Sequence, residues 1–181
     1  MKNIYLVRHC QAEGQAANAQ LTEAGKRQAL RLAAFLQPKN IEYIVSSPYE
    51  RAYRSISLLA EQCGIDIAVD ERLKERVLSG QNHSDWRDKL RVTFDDLQLC
   101  FDGGESSHQA MSRAIPVLEE VLSGSYANAV IVTHGNLLAL MLKYYDDRIG
   151  YDDWEKLTNP DVYRLSFTGD SCSCIERIWT D

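Results

Sequence analysis

Two apolar runs in this chain end in the same way. "YLVRHC" (5–10) and "AVIVTHG" (129–135) each read as a strand made for a core that stops at a histidine, His9 in the first and His134 in the second. A single histidine after a strand is ordinarily structural. Two strands of one sheet that deliver a histidine to the same edge point to a shared site. Arg8 precedes the first histidine, and "VSSPYERAYRS" (45–55) adds a second arginine. That stretch reads as a helix start, with Ser47 as N-cap, Pro48 at the first position and Glu50 closing a capping box. Arg51 then falls in the first turn, where the helix dipole opposes a cation and free N–H groups favour an anion. A salt bridge to a nearby carboxylate would also account for it. Arg8, His9, Arg51 and His134 together read as a phosphate pocket, because guanidinium forks match phosphate oxygens in geometry and charge.

Phosphoryl chemistry on an alcohol also needs an acid. "ERLKERVLSG" (71–80) supplies Glu71 and Glu75. Composition does not separate them, and either could be a solvated charge; Glu75 stands nearer the loop that follows.

The elements that must position these residues are legible as a pattern. Strands are expected at 2–7, 41–46, 65–69, 128–133, 163–167 and 172–178, with helical spacing at 22–36 and 107–122. Pro116 implies a kink or a late start in the second helix. Strands alternating with helices of these lengths imply an α/β fold with a mostly parallel sheet covered on both faces. In such folds ligands bind beyond the carboxyl ends of the strands. Residues 77–104, polar and aromatic, are long for a plain connection and are expected to cover the substrate.

At 181 residues the chain is expected to form one domain with one core. A net charge of −6 argues against a surface that holds nucleic acid. No apolar run is long enough for a membrane span, and the N-terminus reads as a strand instead of a signal peptide. Five cysteines with scattered spacing suit free thiols in the cytoplasm. Cys172 and Cys174 lack the partners of a metal site. His83 and His108 are expected at the surface.

"LVRHCQAEGQ", "LTEAGKRQA", "VSSPYERAYRS", "RLKERVLSG", "GGES" and "VTHGNLL", in this order, resemble the histidine phosphatase superfamily, which includes the cofactor-dependent phosphoglycerate mutases. The resemblance runs from residue 2 to about residue 140. It implies a three-layer α/β/α sandwich and makes His9 the nucleophile that becomes phosphorylated. Arg8, Arg51 and His134 would hold the phosphoryl group, and Glu75, in preference to Glu71, would be the proton donor. Gln15 stands where the family often has a phosphate-contacting Asn, and Asn136 matches the mutase-like form of its motif. Cys10 departs from the usual glycine after the nucleophile, which narrows the pocket or shifts its loop. The implied substrate is a small phosphomonoester, turned over without metal or other cofactor. A phosphatase is expected over a mutase because the chain between residues 13 and 21 is short and little chain follows the His134 helix. A phosphohistidine protein phosphatase fits the same fold, and a phospholigand-binding module without turnover is the reading from another class.

Overall fold

A computed structural model of the chain describes residues 1–180. Six strands form one sheet: β1 (Lys2–Arg8), β2 (Tyr43–Ser46), β3 (Ile67–Val69), β4 (Asn128–Thr133), β5 (Asp161–Thr168) and β6 (Ser171–Arg177). Their order is β3-β2-β4-β1-β5-β6. The β1–β4, β2–β4 and β2–β3 pairings are parallel, and β5 and β6 close one edge antiparallel. The expected α/β sheet is therefore mostly parallel, with a hairpin added at the end of the chain.

Alternation along the central strands sorts the core into two layers. Tyr5, Val7, Ile44, Val130 and Val132 face α1 (Glu23–Leu36) and α2 (Glu50–Cys63), meeting Leu32, Leu36, Ile56 and Leu59. Ile4, Leu6, Val45, Ala129 and Ile131 face the other way, toward α4 (Ser107–Ser123) and α5 (Gly135–Tyr145) with Leu118, Leu138 and Leu142. Helices on both faces make the three layers of the sandwich.

Local chemistry sets the boundaries. Thr22 caps α1 by accepting from Gly25 N at 2.9 Å, and Ser106 with Gln109 forms a reciprocal capping box on α4. Pro116 lies inside α4 without ending it. β3 starts two residues later than its apolar run because the Ile65 N–H still bonds Ala60 O of α2, past the left-handed Gly64.

The 77–104 stretch is less irregular than its composition implies. It contains α3 (Trp86–Asp95), whose Leu90 and Phe94 are buried in the α4–α5 layer. Its two ends are drawn together by Gly80 N to Asp102 O at 2.9 Å and Glu105 N to Val77 O at 2.8 Å. A short helix, α6 (Tyr151–Glu155), packs beside α3 through Trp86 and Trp154. Among the described residues no helix is long and apolar enough to cross a membrane.

Candidate active site

Because β1, β2 and β4 run parallel and in register, the residues that follow them emerge at one edge of the sheet. His9 follows β1, and its N–H bonds Thr133 O at 3.1 Å, one step beyond the strand. Its side chain is buried, with Nδ1 2.6 Å from the Cys10 carbonyl oxygen. A carbonyl only accepts, so Nδ1 carries the proton and Nε2 keeps its lone pair. Arg51 donates to that Nε2 from Nε at 3.2 Å. Burial above all, with the charges of Arg51 and Arg8 adding to it against the Cys10 bond, pushes the His9 pKa down to about 3.

Arg51 is buried in the first turn of α2, as its sequence position implies, but the helix does not begin as expected. It starts at Glu50 with Tyr49 as N-cap, and no side chain caps it. Ser47 still pairs with β4, its N–H bonded to Val132 O, and its hydroxyl is engaged elsewhere. The Glu50 N–H goes instead to Ala17 O. Arg51 Nη1 donates to the carbonyls of Gln15 and Ala16 at 3.1 and 2.9 Å, and its guanidinium lies over the Tyr49 ring.

His134 is fully buried between β4 and α5. Ser47 Oγ lies 2.8 Å from its Nε2 and also accepts from Tyr49 N at 3.3 Å. A Ser47 hydroxyl proton given to Nε2 leaves the His134 proton on Nδ1, the tautomer in which this histidine donates. That Nδ1 is buried with no partner among the described residues, and the ring stands edge-on to His9 with centroids 5.1 Å apart. Burial, helped by the nearby His9 and arginines, holds His134 well below the usual histidine pKa. In that tautomer it is a neutral, buried donor.

Arg8 Nη1 donates to the carbonyls of Leu157 and Thr158 at 3.1 and 3.3 Å, and its Nε is buried without a partner among the described residues. Its guanidinium lies flat against Gly135, where an added Cβ would stand 3.0 Å from Nε and 3.1 Å from Cζ. Glycine at 135 thus lets the guanidinium pack close, and a side chain there would press on it.

Glu75 lies at the N-terminus of α5. Oε1 accepts from Leu137 N at 2.9 Å and Arg76 N at 2.8 Å, and Oε2 from Asn136 N at 3.0 Å. The carboxylate thus caps the helix that carries His134 behind it, where a negative charge suits the dipole. Glu71, the alternative, is exposed and paired with Lys74. Arg76 is buried beside it, bonded to Glu105 O, Thr93 Oγ1 and Asn136 Oδ1.

The structure thus brings together His9, Arg8, Arg51, His134 and Glu75, with Asn136 adjoining through its main chain. The Gln15 side chain is exposed, and the residue enters through its carbonyl on Arg51. Cys10 is wholly buried and burial pushes its thiol up to about 11, so it is a small core side chain and not a reactive one. His108 is exposed, whereas His83 is half-buried against Ser79. Sequence reasoning missed Ser47 as the partner of His134, and it missed Glu105. Glu105 pairs with Arg113 at 2.8 Å and accepts from Val77 N, so it holds the segment just after Glu75. The only signal for Glu105 was its place in "GGES".

The profile of the "Histidine phosphatase superfamily (branch 1)" matches residues 4–180, and the chain belongs to that family. A Hydrogenobacter thermophilus protein, provisionally named phosphoserine phosphatase 2, is 31% identical over 153 residues, covering 76% of this chain and 75% of its own. A Salmonella paratyphi A protein named probable phosphoglycerate mutase GpmB is 25% identical, covering 92% of this chain and 86% of its own. Among solved structures, a mycobacterial glucosyl-3-phosphoglycerate phosphatase with inorganic phosphate superposes with a TM-score of 0.75 at 26% identity, over 92% and 90% of the two chains.

Proposed function

We propose that this protein hydrolyses small phosphomonoesters through a phosphohistidine on His9. The observation that carries the reading is the His9 ring itself, locked by the Cys10 carbonyl so that Nε2 keeps a lone pair beside two arginines and a neutral histidine donor.

In the first step His9 Nε2 attacks phosphorus, the P–O bond to the alcohol breaks, and Glu75 in its protonated form gives the leaving oxygen its proton. In the second step water attacks the phosphohistidine, Glu75 takes its proton, the N–P bond breaks and phosphate leaves. Between them Arg8, Arg51 and His134 hold the equatorial oxygens, where charge must be stabilised in phosphoryl transfer. Entry of phosphate gives Arg8 Nε and His134 Nδ1 the acceptors they lack.

Residues 77–104 cover the leaving-group side in this reading. They begin next to Glu75, and Thr93 of α3 accepts from Arg76 at 3.0 Å. Relatives named for phosphoserine and glucosyl-3-phosphoglycerate support a small phosphorylated substrate. All five cysteines are free, which fits a reducing, cytoplasmic setting.

The test is hydrolysis of para-nitrophenyl phosphate, with chelator present, by the wild type and His9→Ala. Turnover that the substitution abolishes is expected. Equal turnover in both would overturn the reading, and transfer of the phosphoryl group to a second alcohol instead of water would make the protein a mutase.

A further inference from the structure

The peptide group between His9 and Cys10 is held at both ends by side chains from remote parts of the chain. Its carbonyl oxygen, that of His9, accepts from Asn159 Nδ2 at 2.8 Å. Its N–H, that of Cys10, donates to Ser55 Oγ at 2.7 Å. Neither contact belongs to a strand or a helix ladder.

Each holder is itself fixed. Ser55 is buried on α2 and donates to the Arg51 carbonyl at 2.6 Å, so its lone pair is turned toward Cys10. Asn159 sits in the loop before β5, the same loop whose carbonyls at Leu157 and Thr158 receive Arg8 Nη1. Asp161, fully buried, anchors that loop by accepting from Thr158 N at 2.9 Å and from Arg177 Nη2 at 2.6 Å.

The consequence falls on the His9 ring. The Cys10 carbonyl, one peptide further on, accepts the His9 Nδ1 proton at 2.6 Å. Tilting the 9–10 peptide plane changes ψ of His9 and φ of Cys10 together, and carries that carbonyl away from the ring. With Nδ1 unbonded, the Nδ1–H tautomer is left to the Arg51 N–H on Nε2, a contact that has to yield when phosphate enters, and the proton is then free to move to Nε2. A ring protonated at Nε2 has no lone pair there to attack with.

We propose that Ser55 and Asn159 are positioning residues that clamp the His9–Cys10 peptide plane and thereby hold His9 in the Nδ1–H tautomer, with Nε2 free for phosphorus. The catalytic part of this proposal rests on His9 being the nucleophile. The tautomer part stands on the geometry alone, which allows the two to be tested apart.

The experiment records ¹⁵N spectra of the His9 imidazole with inorganic phosphate present, to draw Arg51 off Nε2, together with steady-state kinetics and melting temperature, for the wild type, Ser55→Ala, Asn159→Ala and Ser57→Ala. Ser57 makes the same back-bond to its own helix, to Tyr53 O at 2.8 Å, without touching Cys10, and serves as the control. The wild type and Ser57→Ala should show one tautomer with the proton on Nδ1. Ser55→Ala and Asn159→Ala should show tautomer exchange, and kcat should fall by about 10–10² with KM little changed. Ser55→Thr, which keeps the hydroxyl, should recover most of the loss, and it decides the matter if Ser55→Ala does not fold. Folded clamp variants with the wild-type His9 spectrum would overturn the proposal, whatever their rates, and so would exchange without any change in kcat. Tautomer exchange in the variants of a protein whose wild type forms no phosphohistidine would leave the clamp standing and remove the phosphatase reading instead.

Discussion

Arg51 donates from Nε to His9 Nε2 at 3.2 Å, so the lone pair assigned to attack is already in contact with the cation assigned to hold phosphate. The contact has to yield when phosphorus arrives, and Arg51 then turns its fork to the phosphate oxygens. Arg51→Ala is expected to lower kcat/KM by about 10²–10³, the usual cost of a lost donor to transition-state charge. Arg51→Lys should recover little of this, because an ammonium cannot keep the Gln15 and Ala16 carbonyls and reach phosphate with a planar fork. Steady-state kinetics on para-nitrophenyl phosphate measures both.

Glu75 has two jobs that one substitution separates. Glu75→Gln removes the exchangeable proton and should reduce turnover of alkyl phosphates by roughly 10²–10⁴. Para-nitrophenyl phosphate, whose leaving group needs little protonation, should lose less, so the ratio of the two rates is the readout. Glu75→Ala also removes the acceptor for the Asn136 and Leu137 N–H groups and should lower stability by roughly 1 kcal/mol, as loss of a helix cap does. Denaturant melts of the two variants check this.

His9 is buried neutral and gains a proton in the fold only near pH 3, against 6.5 in the unfolded chain. Between those values the unfolded state binds the extra proton, so this group lowers stability as pH falls from about 6.5 toward 3. Wild type minus His9→Gln, followed by melting temperature, should therefore shrink below pH 6.5. The same depression predicts that kcat/KM shows no acid limb set by His9 near 6.5.

Gly135→Ala tests the packing of Arg8. The new methyl group meets the guanidinium at 3.0 Å, and Arg8 cannot retreat freely because Leu157 and Thr158 hold its Nη1. A displacement of this kind should cost up to about 10² in kcat/KM with melting temperature little altered.

Cys10 should be inert. It is wholly buried and its thiol is pushed up to about 11, so iodoacetamide under native conditions should leave both Cys10 and the activity unchanged. Loss of activity that tracks Cys10 alkylation would contradict this.

Much of this site was legible because its residues stand at the ends of strands. The runs before His9 and His134 are continuous and apolar, and parallel register then fixes where both histidines emerge. Arg51 was legible as a cation in a helix first turn, although the helix start itself was misjudged. A Ser-Pro-x-Glu string satisfies a capping pattern locally, but Ser47 is claimed by strand register and by His134, contacts that sequence spacing does not contain. Asn159, Ser55 and Glu105 act through bonds that span 150, 45 and 29 positions, to His9, Cys10 and Arg76 in turn. The burial of α3 was hidden because Leu90 and Phe94 are sparse apolar residues in a charged stretch.

The proposed mechanism turns on a covalent bond from His9 to phosphorus. Rapid mixing with a phosphomonoester, an alkaline quench that preserves phosphohistidine, and peptide mass spectrometry would look for it directly. A phosphoryl group on His9 should appear within one turnover, decay as phosphate is released, and accumulate in Glu75→Gln with a good leaving group. Burst-free hydrolysis with no phosphoryl group on His9 in either protein, or label on another residue, would contradict it.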